Sequence, residues 1–241
     1  MRIFAELVEA IVRMLENLQN IDRAVTLAVN GIDSLYADGA MMLVTSTLTW
    51  IPAGFVLLYV VVRNNDLPHI AALFALLAMC VAFSSGLSEI CKALSGRWRP
   101  SCDPLLMYCV RIVNGYRESG YGFFSAHSAN TMSVAVFASL LFRKRGAALL
   151  FVVWSLLNGF SRIYLGVHYA GDVATGFLVG MAVGCMLYFV YTRILKRLPV
   201  VQRTAHGYTP SGYLCSDVDA LCTVLLLTFG YVLVAACVWP V

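Results

Sequence analysis

The sequence is short of charge: of 241 residues, 12% are Asp, Glu, Lys or Arg, while 60% are apolar. Soluble domains carry roughly a quarter charged residues, so a surface wetted all round is excluded and the bilayer is the expected solvent. The net charge is only +4, and the basic residues are dispersed instead of forming an aromatic-interleaved stripe, which speaks against nucleic acid as a partner. Closely spaced Cys and His pairs of the zinc-binding kind are missing from the eight cysteines and four histidines, so no metal site or other cofactor is expected. Most cysteines fall in apolar runs, where a small apolar residue is the ordinary explanation. Cys102 and Cys109 share one extramembrane loop; in an oxidising compartment they could be bridged, and the sequence leaves both the bridged and the reduced pair open. Internal repeats, low-complexity tracts and a second domain are absent. The opening residues lack the apolar region of a signal peptide, because Arg2, Glu6, Glu9, Arg13 and Glu16 interrupt them; they are expected to be neither cleaved nor spanning.

What is present is a series of long apolar runs. About 20 residues at 1.5 Å each cross the hydrocarbon of a bilayer, and six runs approach that length: about 41–62, 70–90, 123–142, 147–165, 168–191 and 220–239. Before them, Phe4, Leu7, Ile11, Leu15 and Leu18 recur at three or four residues, which suits a helix in the membrane interface or an ordinary packing helix. The expected fold is therefore all-α: a six-span transmembrane bundle with an N-terminal interfacial amphipathic helix. Residues 1–35 form the interfacial segment and 36–241 a single membrane domain. With alternating spans, one face receives Arg63, Arg143, Lys144, Arg145, Arg193, Lys196, Arg197 and Arg203, which the positive-inside rule makes cytoplasmic.

Charged groups within or beside spans need a partner or a role, and here they gather in three places. Lys92, Arg99 and Pro100 follow the second span; Ser125, Ala126 and His127 open the third; Ser161, Arg162, His168 and Asp172 join the fourth to the fifth. All three fall on the face opposite the basic one. Lys92, Arg99 and Arg162 supply permanent charge and forked donors that suit phosphate oxygens. Ser125 and the backbone amides after it stand where a helix begins, a natural anion site. His168 and Asp172 are four apart, so on a helix the carboxylate would hold one ring nitrogen and leave the other free to attack. His127, from another span, is suited to protonate the departing oxygen.

Plainer explanations serve the remaining polar groups. Glu89, three residues before Lys92, is expected to pair with it. Arg97, Arg111 and Arg117 read as solvated loop residues, His69 and His206 as interfacial anchors, and Tyr164, Tyr169 and Trp98 as interface aromatics. Ser84, Ser85, Gly86 and Ser88 read as close helix packing.

Three segments, KALSGRWRP at 92–100, FSAH at 124–127 and SRIYLGVHYAGD at 161–172, resemble the signatures KxxxxxxRP, PSGH and SRxxxxxHxxxD of the type 2 phosphatidic acid phosphatase (PAP2) superfamily. The third alone fixes four positions, a coincidence on the order of once per 10⁵ starts at average residue usage. The likeness covers about 41–191, and departs from pattern at Phe124 for proline and Ala126 for glycine. It implies a metal-independent membrane lipid phosphatase. In that reading His168 is the nucleophile, Asp172 orients it, His127 is the acid, and Lys92, Arg99, Ser125, the Ala126 amide and Arg162 hold phosphate. The partner is then a phosphorylated lipid in a bacterial inner membrane, with the site facing the periplasm or cell exterior. Likeness to compact bacterial members sharing the YLGVHY run points to lipid A phosphate or undecaprenyl diphosphate. Phosphatidylglycerol phosphate, phosphatidate and a non-catalytic lipid-binding protein are the alternatives.

Overall fold

A computed structural model describes residues 2–195 and 206–238 and is all-helical, with two isolated β-bridges and no strand among those residues. In chain order the helices are α1 (Arg2–Asn30), α2 (Leu35–Thr45), α3 (Ile51–Asn64), α4 (Leu67–Ser95), α5 (Ala126–Phe142), α6 (Arg145–Tyr164), α7 (Ala170–Leu195) and α8 (Cys215–Val238). Among the described residues, five stretches are long and apolar enough to cross a membrane: Thr47–Asn64, Leu67–Ser95, Arg145–Tyr164, Ala170–Ile194 and Cys215–Val238. The protein is an integral membrane protein. The expected third span, α5, is shorter at 17 residues. Lys196, Arg197, Arg203 and Trp239 lie outside the described residues.

The run expected to be one span over 41–62 is broken. α2 stops at Thr45, Ser46 is extended, and a 3₁₀ turn over Thr47–Trp50 precedes α3. Hydroxyl and indole groups supply the reason: Thr49 Oγ1 donates to Leu43 O at 2.7 Å and Trp50 Nε1 to Val44 O at 2.9 Å, satisfying carbonyls that end α2. Pro52, without an N–H, then stands in the first turn of α3, where it is tolerated.

Apolar burial does not drive one helix onto another in lipid; close van der Waals packing and interhelical hydrogen bonds do. The tightest pair here is α5 against α7. Gly176, Gly180 and Gly184 form one stripe of α7, and a Cβ on each would come within 2.7, 2.4 and 2.6 Å of Ser125, Ala129 and Ser133 backbone oxygens on α5. The packing expected at Gly86 is not found, since a Cβ there meets nothing within 4 Å. Its neighbours do pack: Ser88 Oγ donates to Phe124 O at 2.8 Å, and Ser85 exchanges hydrogen bonds with Asn130 of α5. The main core, with Val60, Leu73, Phe137, Phe142, Phe151, Leu187 and Leu221, fills the bundle among α3 to α8. α1 leaves Phe4, Leu7, Ile11, Leu15 and Leu18 exposed, while its C-terminal half packs on α6 and α7.

Candidate active site

Lys92, Arg99, His127, Arg162, His168 and Asp172 all sit at one end of the bundle, at the C-terminal ends of α4 and α6 and the N-terminal ends of α5 and α7. Arg63, Arg143, Lys144, Arg145 and Arg193 stand at the other helix ends, where Arg63 lies 3.4 Å from Asp217 and Lys144 2.5 Å from Asp219.

Local backbone chemistry delivers each site residue. α4 ends on Gly96 at φ 57°, a left-handed cap that glycine adopts without a Cβ clash, and its N–H closes on Lys92 O. The chain then carries Arg97 and Arg99 across the bundle end. Its return is pinned by Gly122 N donating to Arg97 O at 2.8 Å and by the Trp98–Tyr121 bridge. Ser125 caps α5 by accepting from Ser128 N at 3.4 Å, while its own amide donates to Asp172 O at 3.1 Å. The first amides of α5, on Ala126 and His127, have no intrahelical carbonyl and so stay available to an anion. Between α6 and α7 the chain turns at Gly166, and the amides of Val167 and His168 both donate to Arg162 O.

His168 is therefore not on a helix with Asp172, as its spacing suggests, but in the turn two residues before α7. It is almost wholly buried, with Arg99 Nη1 3.0 Å from Nε2 and Asp172 Oδ2 3.6 Å from Nδ1. The second distance exceeds a hydrogen bond, and Nδ1 has no other partner. Guanidinium has no lone pair to give, so the Arg99 contact makes Nε2 the unprotonated nitrogen and leaves the proton on Nδ1, towards Asp172. Burial, and then the charges of Arg99 and Arg162, hold the imidazole well below its ordinary range, which favours the neutral ring. His127, half-buried in the first turn of α5, is within electrostatic range of Arg162, Glu118 and Lys92.

Arg99 and Arg162, the two arginines expected to hold phosphate, enclose an acid that sequence reasoning passed over. The Glu118 carboxylate bonds Arg162 Nη2 through one oxygen and lies 2.7 Å from Arg99 Nη1 through the other. Tyr116 links both: its hydroxyl donates to Glu118 at 3.1 Å and accepts from Arg162 Nη1 at 2.8 Å. Burial alone would raise the Glu118 carboxyl, but Arg162 and then Arg99 outweigh it and hold it at about 2. A carboxylate in a nest of two guanidinium groups is chemically the stand-in for two phosphate oxygens. Lys92, as expected, pairs with Glu89 at 2.6 Å.

Other readings need correction. Arg97 and Arg111 are half-buried and ion-paired rather than free in solvent: Arg97 lies between Asp172 and Asp22, and Arg111 Nη2 is 2.7 Å from Asp38. Tyr164 and Tyr169 are buried rather than interfacial, donating to Asp38 and Asp103 at 2.6 Å each. His69 is buried and bonds Asp66, whereas His206 is exposed. Cys102 and Cys109 are both free thiols. Asp22, Tyr116 and Glu118 carried no motif; the available signal was that each is a polar residue near apolar runs.

The PAP2 superfamily model matches residues 71–196. The chain is 34% identical to a lipid A 4'-phosphatase of Bacteroides thetaiotaomicron over 187 residues, covering 77% of this chain and 83% of that protein. It is 31% identical to a lipid A 4'-phosphatase of Porphyromonas gingivalis over 223 residues, covering 90% and 91%. Its fold is similar to the crystal structure of a transmembrane PAP2-type phosphatidylglycerolphosphate phosphatase from Bacillus subtilis, with a TM-score of 0.52 at 23% identity over 78% of this chain and 90% of that one. A neutral buried histidine facing an acid and ringed by an arginine pair and a lysine, in the order of the three signatures, agrees with these matches: the chain is a member of the PAP2 superfamily.

Proposed function

We propose that this protein removes a phosphate group from a membrane lipid through a phosphohistidine intermediate, with a lipid A phosphate as the substrate. The observation that carries the chemistry is His168 Nε2 lying 3.0 Å from Arg99 Nη1, an N–H donor that favours the tautomer with Nε2 unprotonated, at the edge of a nest that already holds an anion. In the first half-reaction Nε2 attacks phosphorus, the bond to the lipid oxygen breaks, and His127 gives that oxygen a proton. The phosphorylated imidazole is positive, and Asp172 on its Nδ1 side offsets that charge. In the second half, His127 takes a proton from water as the water oxygen attacks phosphorus. The P–N bond then breaks, releasing phosphate and restoring neutral His168. Lys92, Arg99, Arg162, the Ser125 hydroxyl and the amide of Ala126 neutralise the charge on the equatorial oxygens.

Lipid A phosphate is favoured over undecaprenyl diphosphate because the relatives matched along most of this chain are lipid A 4'-phosphatases. If α5 also crosses, making six spans, the site lies at the membrane face opposite Arg63, Arg143, Lys144, Arg145 and Arg193, and the positive-inside rule supports reading it as the periplasmic face of an inner membrane. The exposed apolar side of α1 then lies in the interface. Residues 1–35 and 36–241 work together in this reading as an interfacial segment and a single membrane domain.

The test is phosphate release by the purified protein in detergent with EDTA, offered lipid A, undecaprenyl diphosphate, phosphatidylglycerol phosphate and phosphatidate. Release from lipid A that is absent in His168→Ala supports both mechanism and substrate. Preference for another lipid overturns the substrate, and full activity in His168→Ala overturns the mechanism.

A further inference from the structure

The family model begins at residue 71, yet a residue of α1 reaches the catalytic pair. Arg97 is the link: its Nη1 lies 2.7 Å from Asp172 Oδ1 and its Nη2 2.6 Å from Asp22 Oδ2. The guanidinium also stacks over the Tyr169 ring at 4.2 Å. Asp22 has a second contact, since its Oδ1 accepts from Gly171 N at 2.7 Å. Beside it Thr26 Oγ1 accepts from Ala170 N at 3.0 Å and donates to Asp22 O at 2.7 Å. The first two amides of α7 are thus capped from α1, and a Cβ on Gly171 would come within 2.9 Å of Asp22 Oδ2. Asp172 is wholly buried, and its remaining oxygen faces Tyr169 N at 3.1 Å and His168 Nδ1 at 3.6 Å.

We propose that Asp22 is a positioning residue for the reaction: through Arg97 and the first amides of α7 it fixes Asp172 against His168 and sets the charge that Asp172 presents. This rests on His168 being the nucleophile. Two carboxylates sharing one guanidinium carry a net charge of minus one, and that charge opposes the positive imidazole of the phosphohistidine. Without Asp22, Arg97 cancels Asp172, and the group facing Nδ1 is neutral. The loss falls on the transition state and intermediate, where the ring is charged, rather than on substrate binding, where it is neutral.

The experiment compares kcat and KM for lipid phosphate release by the full chain in detergent. The variants are Asp22→Asn, Asp22→Glu, Arg97→Gln and the double variant Asp22→Asn/Arg97→Gln, with His168→Ala as control and thermal unfolding of each. Asp22→Asn is expected to lower kcat roughly tenfold with KM within about twofold, and Asp22→Glu to restore most of it. The double variant should be no slower than Arg97→Gln alone, because both act through one path. Wild-type kcat in a folded Asp22→Asn, or losses that multiply in the double variant, overturns the proposal. If Asp22→Asn does not fold, Asp22→Glu decides: kcat as low as that of Arg97→Gln with unchanged melting overturns it. An inactive His168→Ala beside a fully active Asp22→Asn removes only the role of Asp22, whereas an active His168→Ala removes the underlying mechanism as well.

Discussion

The Glu118 carboxylate lies 2.7 Å from Arg99 Nη1, against a guanidinium that the PAP2 signature assigns to phosphate. Under the proposed mechanism substrate and Glu118 compete for the same donors, so binding is expected to require the side chain to leave. A site whose competent state is only partly populated binds with reduced apparent affinity. Glu118→Gln is expected to lower KM for the lipid, and the inhibition constant for vanadate, roughly three- to tenfold. An unchanged or raised vanadate constant would show that the carboxylate does not compete.

The same ion pairs give stability a pH dependence. The Glu118 carboxyl is held at about 2 against an ordinary 4.5, a depressed value. Its contribution is therefore complete above the ordinary value and is lost as pH falls from about 4.5 towards 2. Melting temperatures of wild type and Glu118→Gln should differ at neutral pH and converge across that window. A gap that stays constant to acid pH would refute the assignment.

His168 should remain a nucleophile in mild acid, because burial and then Arg99 and Arg162 hold it well below 6.5. Protonation removes the attacking lone pair, so the acid limb of kcat/KM belongs below that ordinary value. Glu118 opposes the two arginines, and Glu118→Gln is expected to move the limb lower still. A pH–rate profile in which wild type loses activity as pH falls through 6.5 would contradict this environment. Trapping in samples quenched in alkali, where the P–N bond survives, should find phosphate on His168, and none in His168→Asn.

Helix spacing is the fourth point of attack. A Cβ at Gly180 would meet Ala129 O at 2.4 Å, whereas one at Gly86 meets nothing. Gly180→Val is expected to cost about 1–3 kcal/mol by overpacking and to separate His127 from His168, with a matching fall in activity. Gly86→Ala should stay within about 0.5 kcal/mol. Thermal unfolding and phosphate release decide between them, and equal behaviour of the two variants would remove the stripe as the determinant.

Much was legible in the residues alone. Low charge with long apolar runs fixes a membrane protein, because hydrocarbon length and hydropathy are local properties. The three signature segments pointed to the family and to eight candidate site positions, since reacting groups recur at set spacings along single elements. Only the folded chain decided what depends on contacts across distant residues. Glu118 between Arg99 and Arg162, Asp22 on Arg97, and the Thr49 and Trp50 bonds that break the first span are such contacts. So is the placement of His168 in a turn, which follows from Arg162 O accepting its amide. Periodicity reports which face of a helix is apolar; it carries no record of which buried charge answers another, because that pairing is set by packing.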